Sequence, residues 1–270
     1  MVATTAMLEI SLRRRDFLIV SAALLLAPSG RLAAQPTGRR GTFAAEFGVL
    51  YGVLSYHVKG EIEESVDRGA GRCEVRLTGE GSGVTNRVEM HAEFREGRWA
   101  PVRSESKFEI QGREGWTRIK YDYERRRVEY QARTETFFLR KLRVVDDVVA
   151  LPEGVIIDDA ITAALNYRDG YWKPGPDGNL LTHIVRRRHR AGEGPDDVAN
   201  AYRAEVLPLE LKMVQDPETQ KPAALVDLTR FSSWARENQP ARVVFDDERR
   251  PVLITGSMIL GSSVTIRLVA

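Results

Sequence analysis

The residues best placed to do chemistry lie in one short segment, IDDAITAALNYRDG, residues 157–170, and just after it. An arginine in this segment offers a planar fork of donors that matches a carboxylate or phosphate, and aromatic neighbours could line a pocket. The same residues also suit a structural role, in which the arginine ties a helix to a strand and the aromatic side chains belong to the core. The ligand-lining candidates are Arg168, Tyr167, Tyr171 and Trp172.

The segment is predicted to be a helix with one apolar face. Asp158 or Asp159 can cap its first turn, and Gly170 can end it. Asp159 and Thr162 have the spacing of a local cap, whereas Arg168 lies about 900° of rotation after Asp159 and therefore on the opposite side. We expect Arg168 to reach a ligand or a strand, and not Asp159. The apolar face is formed by Ile157, Ile161, Ala164 and Leu165.

The other reactive residue types form no recognised catalytic or metal-binding motif. A catalytic zinc site needs three ligands that converge on one point, and no histidine here has a second ligand at the usual spacing. Gly-x-Ser-x-Gly, the P-loop and Gly-x-Gly-x-x-Gly are also missing from the sequence. We therefore predict no catalytic residue, no metal and no cofactor, and we favour a non-enzymatic protein. The histidines are His57, His91, His183 and His189.

Two charge patterns have both a functional and a structural interpretation. The Asp-Asp pairs at 146–147, 158–159, 196–197 and 246–247 lack the alternating spacing of a calcium loop, so we interpret them as turns and helix starts. The basic run RRRHR, residues 186–190, could bind an anionic envelope surface. It could equally be a solvated hairpin tip, because three acids follow it closely: Glu193, Asp196 and Asp197.

The elements that must position these residues are mostly strands. Apolar and charged residues alternate with period two along most of the chain, which is typical of antiparallel strands with one face in water. In RCEVRLT, for example, Cys73, Val75 and Leu77 share one face. A sheet with this many strands must curl. We predict a mainly all-β fold: a strongly curved or barrel-like antiparallel sheet of about a dozen strands with one short helix.

The N-terminus has the order of a signal peptide, residues 1–34, with basic residues, a short apolar run and then small residues. Arg14, Arg15, Phe17 and Leu18 resemble the twin-arginine export motif, although Arg13 stands where Ser or Thr is usual. An ordinary Sec signal is the alternative. The sequence therefore predicts export by one of these two machineries and cleavage by signal peptidase after Ala34. No later run is long enough to span a membrane, so we expect a soluble periplasmic or otherwise extracytoplasmic protein.

Composition limits the partners of the remaining chain, residues 35–270, which we expect to be one domain. The full sequence has 40 basic and 38 acidic residues, and removing four arginines and two acids with the signal leaves 36 of each. A neutral domain has no overall field to attract a polyanion, so nucleic acid is not an expected partner. The single cysteine, Cys73, excludes an internal disulfide, and its place in a strand indicates a buried apolar role.

Three segments, in this order, resemble the bacterial domain of unknown function family 3108, a set of exported β-rich proteins. The first is LYGVLSYHVKGEIEES, residues 50–65, and the third is VVFDDERRPVLITGSMILGSSVTIRL, residues 243–268. Between them stands an aspartate followed by threonine three residues later and arginine nine residues later, namely Asp159, Thr162 and Arg168. Residues 186–204 are an insertion-like departure from the family pattern. The resemblance implies export and a β fold, and it implies no reaction.

These observations favour an exported domain whose concave apolar face binds a hydrophobic or amphipathic envelope molecule, or an envelope protein. Many strands have one apolar face and only one helix is available to cover them. Two alternatives remain open at this stage. An envelope hydrolase or glycan-modifying enzyme would need a site near Arg168, and a structural module would fill its barrel with its own side chains.

Overall fold

A computed structural model describes residues 37–49, 54–110, 112–136, 139–172, 174–188, 190, 193, 197–230, 235–236, 238–258 and 262–269. The predicted signal peptide, with Arg14, Arg15, Phe17 and Leu18, lies outside these residues, as do His189 and Asp196. Within the described ranges, no helix is long and apolar enough to cross a membrane.

One antiparallel sheet of 14 strands accounts for most of the described chain, together with a single α-helix. The predicted all-β, barrel-like fold is therefore confirmed. The sheet runs in the order β8-β7-β6-β5-β4-β3-β2-β1-β14-β13-β12-β11-β10-β9. The elements are β1 (Thr37–Val49), β2 (Leu54–Asp67), β3 (Arg72–Gly81), β4 (Val84–Arg95), β5 (Arg98–Ile110), β6 (Arg113–Asp122), β7 (Arg127–Glu135), β8 (Leu142–Ala150), α1 (Ala160–Arg168), β9 (Leu180–Arg187), β10 (Ala204–Gln215), β11 (Pro222–Val226), β12 (Ala241–Phe245), β13 (Pro251–Met258) and β14 (Ser262–Val269).

The period-two pattern produces a continuous core on the inner face of β1–β5, β13 and β14. Val75, Leu77 and Met90 are fully buried there, while the intervening side chains of the same strands are charged and face outwards. Ile161 and Leu165 of α1 join this core, so the helix covers one end of the curved sheet. In this half, side chains of the chain itself fill the interior.

Two phenylalanine rings lie flat against the inner wall because glycines face them. A Cβ atom added at Gly60 would lie 2.3 Å from the Phe43 ring, and one added at Gly79 would lie 3.0 Å from the same ring. Phe108 covers Gly115 in the same way, at 2.2 Å. Glycine is required at these positions because any larger residue would displace the ring. The sheet can therefore curve tightly around these rings.

The two ends of the sheet, β8 and β9, do not pair with each other, and other segments cover them. Ile157, just before α1, forms a parallel bridge with His183 of β9, and Tyr202 forms a parallel bridge with Val145 of β8. Covered edges do not offer unpaired backbone to another chain. Residues 197–204 belong to the insertion-like segment of the sequence, which thus reaches across the gap to β8.

The interpretation of all Asp-Asp pairs as turns or helix starts is wrong for 146–147. This pair lies within β8, where Asp147 points inwards and is buried. Asp147 accepts a 2.8 Å hydrogen bond from the Ala204 N–H and pairs with Arg203 Nε at 3.1 Å. The Asp147 side chain therefore links Arg203 and Ala204 to β8. Pairs 158–159 and 246–247 do mark a helix start and a turn.

The basic run RRRHR does not form one continuous strand, because β9 ends at Arg187. Arg186 and Arg188 both pair with Glu205, at 2.8 and 3.1 Å, and Arg187 pairs with Glu193 at 2.6 Å. Acids from the neighbouring strand and from the following loop therefore offset these three arginines.

Candidate functional site

Arg168, the leading candidate from the sequence, is buried at the C-terminus of α1 and forms a bidentate ion pair with Glu64. Its Nη1 and Nη2 atoms donate to the two carboxylate oxygens of Glu64, each at 3.0 Å, and its Nε donates to Asp169 Oδ1 at 2.9 Å. Burial alone would lower the pKa of Arg168, but the two carboxylates outweigh it and raise that pKa. Burial also raises the pKa of Glu64 against the pull of Arg168, and the two-bond geometry favours the charged pair.

Asp169 extends this ion pair to the surface. It accepts hydrogen bonds from Arg68 Nη2 at 2.9 Å and from the indole Nε1 of Trp99 at 3.1 Å. Burial raises the pKa of Asp169, but Arg168, Trp99 and Arg68 together outweigh it, so that the pKa lies below its usual range. We call Glu64, Arg168, Asp169 and Arg68 the helix-end ion network. It fixes the C-terminus of α1 to β2 and to the turn after β2.

Asp159 and Thr162 form a capping box at the start of α1. Thr162 N donates to Asp159 Oδ1 at 2.8 Å, and Asp159 N donates to Thr162 Oγ1 at 3.0 Å. The second carboxylate oxygen of Asp159 is buried without a hydrogen-bond partner. Burial therefore raises the pKa of Asp159 to about 6, despite the hydrogen bonds from Thr162. Asp159 and Thr162 begin the helix, and Gly170, at φ 73°, follows its last turn.

Asn166, which sequence reasoning missed, links the helix to β5. The Trp99 N–H donates to Asn166 Oδ1 at 2.8 Å, and Asn166 Nδ2 donates to the Trp99 carbonyl at 2.9 Å. Asn166 Nδ2 also reaches the buried Asp158, whose other partners are Arg98 and Thr182. These bonds satisfy polar groups that the packing of α1 removes from water. Only the tertiary structure brings them together.

The three candidate aromatic residues pack against different parts of the chain. Tyr167 packs against Phe245, with ring centroids 4.4 Å apart, and Tyr171 packs edge-on against Phe94 at 4.9 Å. Trp172 is buried, and its Nε1 donates to the Leu181 carbonyl at 3.0 Å. The helix motif and its aromatic neighbours therefore have the geometry of a structural anchor between α1 and the sheet. All three guanidinium nitrogens of Arg168 already donate to carboxylates of the same chain.

A different arginine, Arg113, has the features of a ligand anchor. It is the first residue of β6, and its alternation with Gly115 and Thr117 places all three on the inner face. Its exposed fraction is 3%, yet its Nε and Nη1 atoms have no hydrogen-bond partner among the residues that the structure describes. The Thr117 hydroxyl is likewise buried without a partner. Register places Arg113 opposite Ile110, which in turn pairs with Val84, so its lateral neighbours are apolar.

The other charged residues with exposed fractions of 9% or less among the described residues each have an oppositely charged partner: Glu64, Arg143, Asp147, Asp158, Arg168 and Asp216. Asp147 pairs with Arg203, and Asp216 pairs with Arg242. Arg143 lies 3.6 Å from Glu193, and Glu64 and Asp158 have the arginine partners described above. No such pair includes Arg113. Its burial as an unpaired cation costs free energy unless another anion approaches it.

Arg113 lies far from the helix-end ion network. Trp99, which contacts α1, and Ile110, which pairs with Arg113, are both in β5 and eleven residues apart. At about 3.3 Å per residue, they are separated by roughly 35 Å along the strand. The sheet therefore has a plugged end at α1 and an opposite end at Arg113. We call Arg113, Thr117, Ile110 and Val84 the inner-wall site.

A metal centre is not evident in the part of the chain that the structure describes, which contains no group of three His, Cys, Asp or Glu side chains suited to hold an ion. Cys73 is buried in the apolar core, and burial raises the pKa of its thiol. A protonated buried thiol is a poor nucleophile. Among the described residues, the inner-wall site offers unsatisfied hydrogen-bonding groups of Arg113 and Thr117, and its four members include no nucleophilic thiol and no acid–base pair.

The chain is similar to solved structures, one of which is described here. It is a beta-barrel-like protein of domain of unknown function 1849 from Brucella abortus, which shares 12% sequence identity with this chain. The match covers 88% of this chain and 98% of that protein, with a TM-score of 0.35. No family model matches the chain, and no curated protein matches it.

Proposed function

We propose that the protein is a non-enzymatic binder of an anionic amphipathic molecule, which it holds at the inner-wall site. The observation that supports this function is that two guanidinium nitrogens of the buried Arg113, Nε and Nη1, have no hydrogen-bond partner among the described residues. An oxygen of a carboxylate or phosphate would accept a charge-assisted hydrogen bond from Nε or from Nη1 of Arg113. The Thr117 hydroxyl would offer a further hydrogen bond to a polar group along the ligand.

The apolar surroundings of Arg113 favour an amphipathic ligand over a small free anion. Ile110 and Val84 are its lateral neighbours, and the Phe108 ring lies over Gly115, next along the inner face of β6. These surfaces would contact an apolar tail. Val84, Phe108 and Ile110 belong to the same buried core cluster as Leu77, so an apolar tail at this end would have to displace part of their packing.

Export is the second part of the proposal. The signal-like residues 1–34 and the order of the three family 3108 motifs support a periplasmic protein of that family. A cell-envelope lipid or lipid precursor would then be the available ligand. Fractionation of the native host, with N-terminal sequencing of the protein from each fraction, tests this part alone. Cleavage after Ala34 and recovery from the periplasm are expected, and an uncleaved cytoplasmic protein would contradict export.

The binding experiment compares hexadecanoate with hexadecan-1-ol, which share a tail and differ in the charged group. We expect the wild-type protein to bind the acid at least tenfold more tightly, since only the acid can pair with Arg113. In Arg113→Met, which keeps an unbranched side chain without the charge, that preference should disappear. Arg87→Met is the matched control, because Arg87 lies on β4, two strands away from Arg113, but faces outwards and is exposed.

Each outcome of this titration has a distinct meaning. An acid preference that Arg113→Met abolishes and Arg87→Met retains supports the proposed function. Equal binding of acid and alcohol by the wild-type protein would contradict anion recognition. No binding of either probe would contradict the binding function and favour the structural module that fills its own barrel, a candidate supported by the complete burial of Val75, Leu77 and Met90.

A further inference from the structure

The outer face of β8 differs from that of the strands beside it. On β3 to β7 the outward side chains are largely charged, for example Arg76, Glu89 and Lys107. On β8 the outward residues include Leu142, Val144 and Val148, with exposed fractions of 41, 51 and 55%. Three large apolar residues on the outer face of one strand, interrupted only by Asp146, are unusual for a surface that only faces water.

The neighbouring strand β7 has a charge order that complements itself. Its outward residues, from one end to the other, are Arg127, Glu129, Gln131, Arg133 and Glu135. If a second copy of this strand runs antiparallel across the first, Gln131 faces its own equivalent. Each arginine then faces a glutamate: Arg127 faces Glu135, and Glu129 faces Arg133. Opposite charges at facing positions stabilise a contact, and like charges destabilise it.

The same two-fold axis also brings the apolar residues of β8 from the two copies into contact. Register pairs Gln131 with Asp146, Arg133 with Val144 and Glu129 with Val148. A two-fold axis through the Gln131–Asp146 row therefore places Val144 of one copy over Val148 of the other. Asp146 then faces its own equivalent across the axis, and this one like-charge contact opposes the dimer; each carboxylate also accepts a 3.3 Å hydrogen bond from Gln131 Nε2 of the same chain.

We propose that the outer face of β7 and β8 is the contact surface for a second copy of this chain, in a two-fold symmetric dimer. We identify the partner as a second copy because the charge order of β7, when reversed, is complementary to itself. An unrelated protein would have no reason to carry the matching order. The surface is isologous, as a two-fold interface must be.

The expected dimer is weak. Nine residues span about 30 Å, and the convex outer face limits the contact to about two strands, or roughly 15 Å with side chains. This gives on the order of 900 Å² of total buried area, which is in the range of transient complexes. We therefore expect association in the range of tens to hundreds of micromolar, rather than an obligate dimer.

Sedimentation velocity of the purified full chain from 1 to about 300 µM tests this contact. Arg133→Glu should weaken dimerisation at least tenfold, because two facing positions then carry negative charge in each copy. Glu129→Arg should weaken it similarly. The double variant with both changes should regain dimerisation, because the facing pairs again have opposite sign. Reversing Arg87 and Glu89 on the outer face of β4 is the matched control and should change nothing.

Circular dichroism melting of every variant separates loss of contact from loss of fold, since all four positions lie on the surface. Rescue by the double variant supports the proposal, because a general change in net charge would not reverse. A wild-type protein that remains monomeric throughout the range would overturn it. So would single reversals without effect, or binding of phosphatidylglycerol vesicles that Val144→Ser abolishes while the protein stays monomeric.

Discussion

Replacing Arg168 with methionine should lower stability strongly without affecting any ligand. The substitution keeps most of the aliphatic volume but leaves the buried Glu64 carboxylate without its two donors. Removing one partner of a buried ion pair costs about 3–5 kcal/mol, because the remaining charge stays desolvated. In a domain of this size, each kcal/mol lowers Tm by about 2–4 °C. The expected decrease is therefore about 6–20 °C.

Thermal and urea unfolding at pH 7, followed by far-ultraviolet circular dichroism, measure this effect. Glu64→Gln in the Arg168→Met background should recover part of the loss, because the unpaired charge is removed. A double-mutant cycle then gives the coupling free energy between Glu64 and Arg168. Arg76→Met is the control, since Arg76 forms only exposed pairs, and it should change Tm by no more than about 2 °C.

Three results would refute this reasoning. An unchanged Tm in Arg168→Met would show that the buried pair does not hold α1. A coupling free energy near zero would show that Glu64 and Arg168 act independently. Loss of a bound molecule at unchanged Tm would return Arg168 to the role of ligand anchor and favour an enzymatic or binding site at the helix.

Two further substitutions test the helix start and the inner wall. Asp159→Asn should stabilise the protein at pH 7 by about 1–2 kcal/mol, because asparagine caps equally well and has no charge for burial to disfavour. The pKa of Asp159 rises from 3.8 to about 6 on folding, so the wild-type protein gains stability as the pH falls through 6. The difference in free energy of unfolding between variant and wild type should therefore vanish near pH 4. A variant less stable than wild type at pH 7 would contradict this. Gly115→Ala should cost about 1–3 kcal/mol by displacing the Phe108 ring, whereas Gly38→Ala, where a Cβ meets nothing within 4 Å, should be nearly neutral in the same urea titration. Equal effects of the two glycine substitutions would show that the ring is not held by Gly115.

The strands were predictable because one face of each is in the core. Alternation such as that of Cys73, Val75 and Leu77 follows directly from the pleat, and it does not depend on which strands are neighbours. The start and end of α1 were also predictable, because capping by Asp159 and termination at Gly170 involve only residues a few positions apart.

The partner of Arg168 was not predictable from local pattern. Glu64 is 104 residues away in sequence, and only the closure of the sheet around α1 brings the two together. One signal did exist in β2: Glu64 stands between Ile62 and Val66, on the face that is otherwise buried and apolar. A charged residue on a core face implies a buried partner of opposite charge.

The position of Arg113 was missed for a similar reason. Its strand alternates Arg113, Gly115, Thr117 on the inner face, and none of these residues has the apolar character that marks a core-facing strand. The pattern becomes evident only when Phe108 is seen to cover Gly115. The pair Asp146 and Asp147 led to a different error. Asp-Asp pairs are typical of turns, but this pair lies within β8.

Native mass spectrometry of the protein, purified gently from its own host, tests the proposed function most directly. The account predicts a reproducible extra mass on the wild-type protein that denaturation releases as an anionic amphipathic molecule. The same preparation of Arg113→Met should lack this mass and melt at an equal or higher temperature, because an unpaired buried cation has been removed. A wild-type protein without bound mass, or a mass that Arg113→Met retains, would contradict the account.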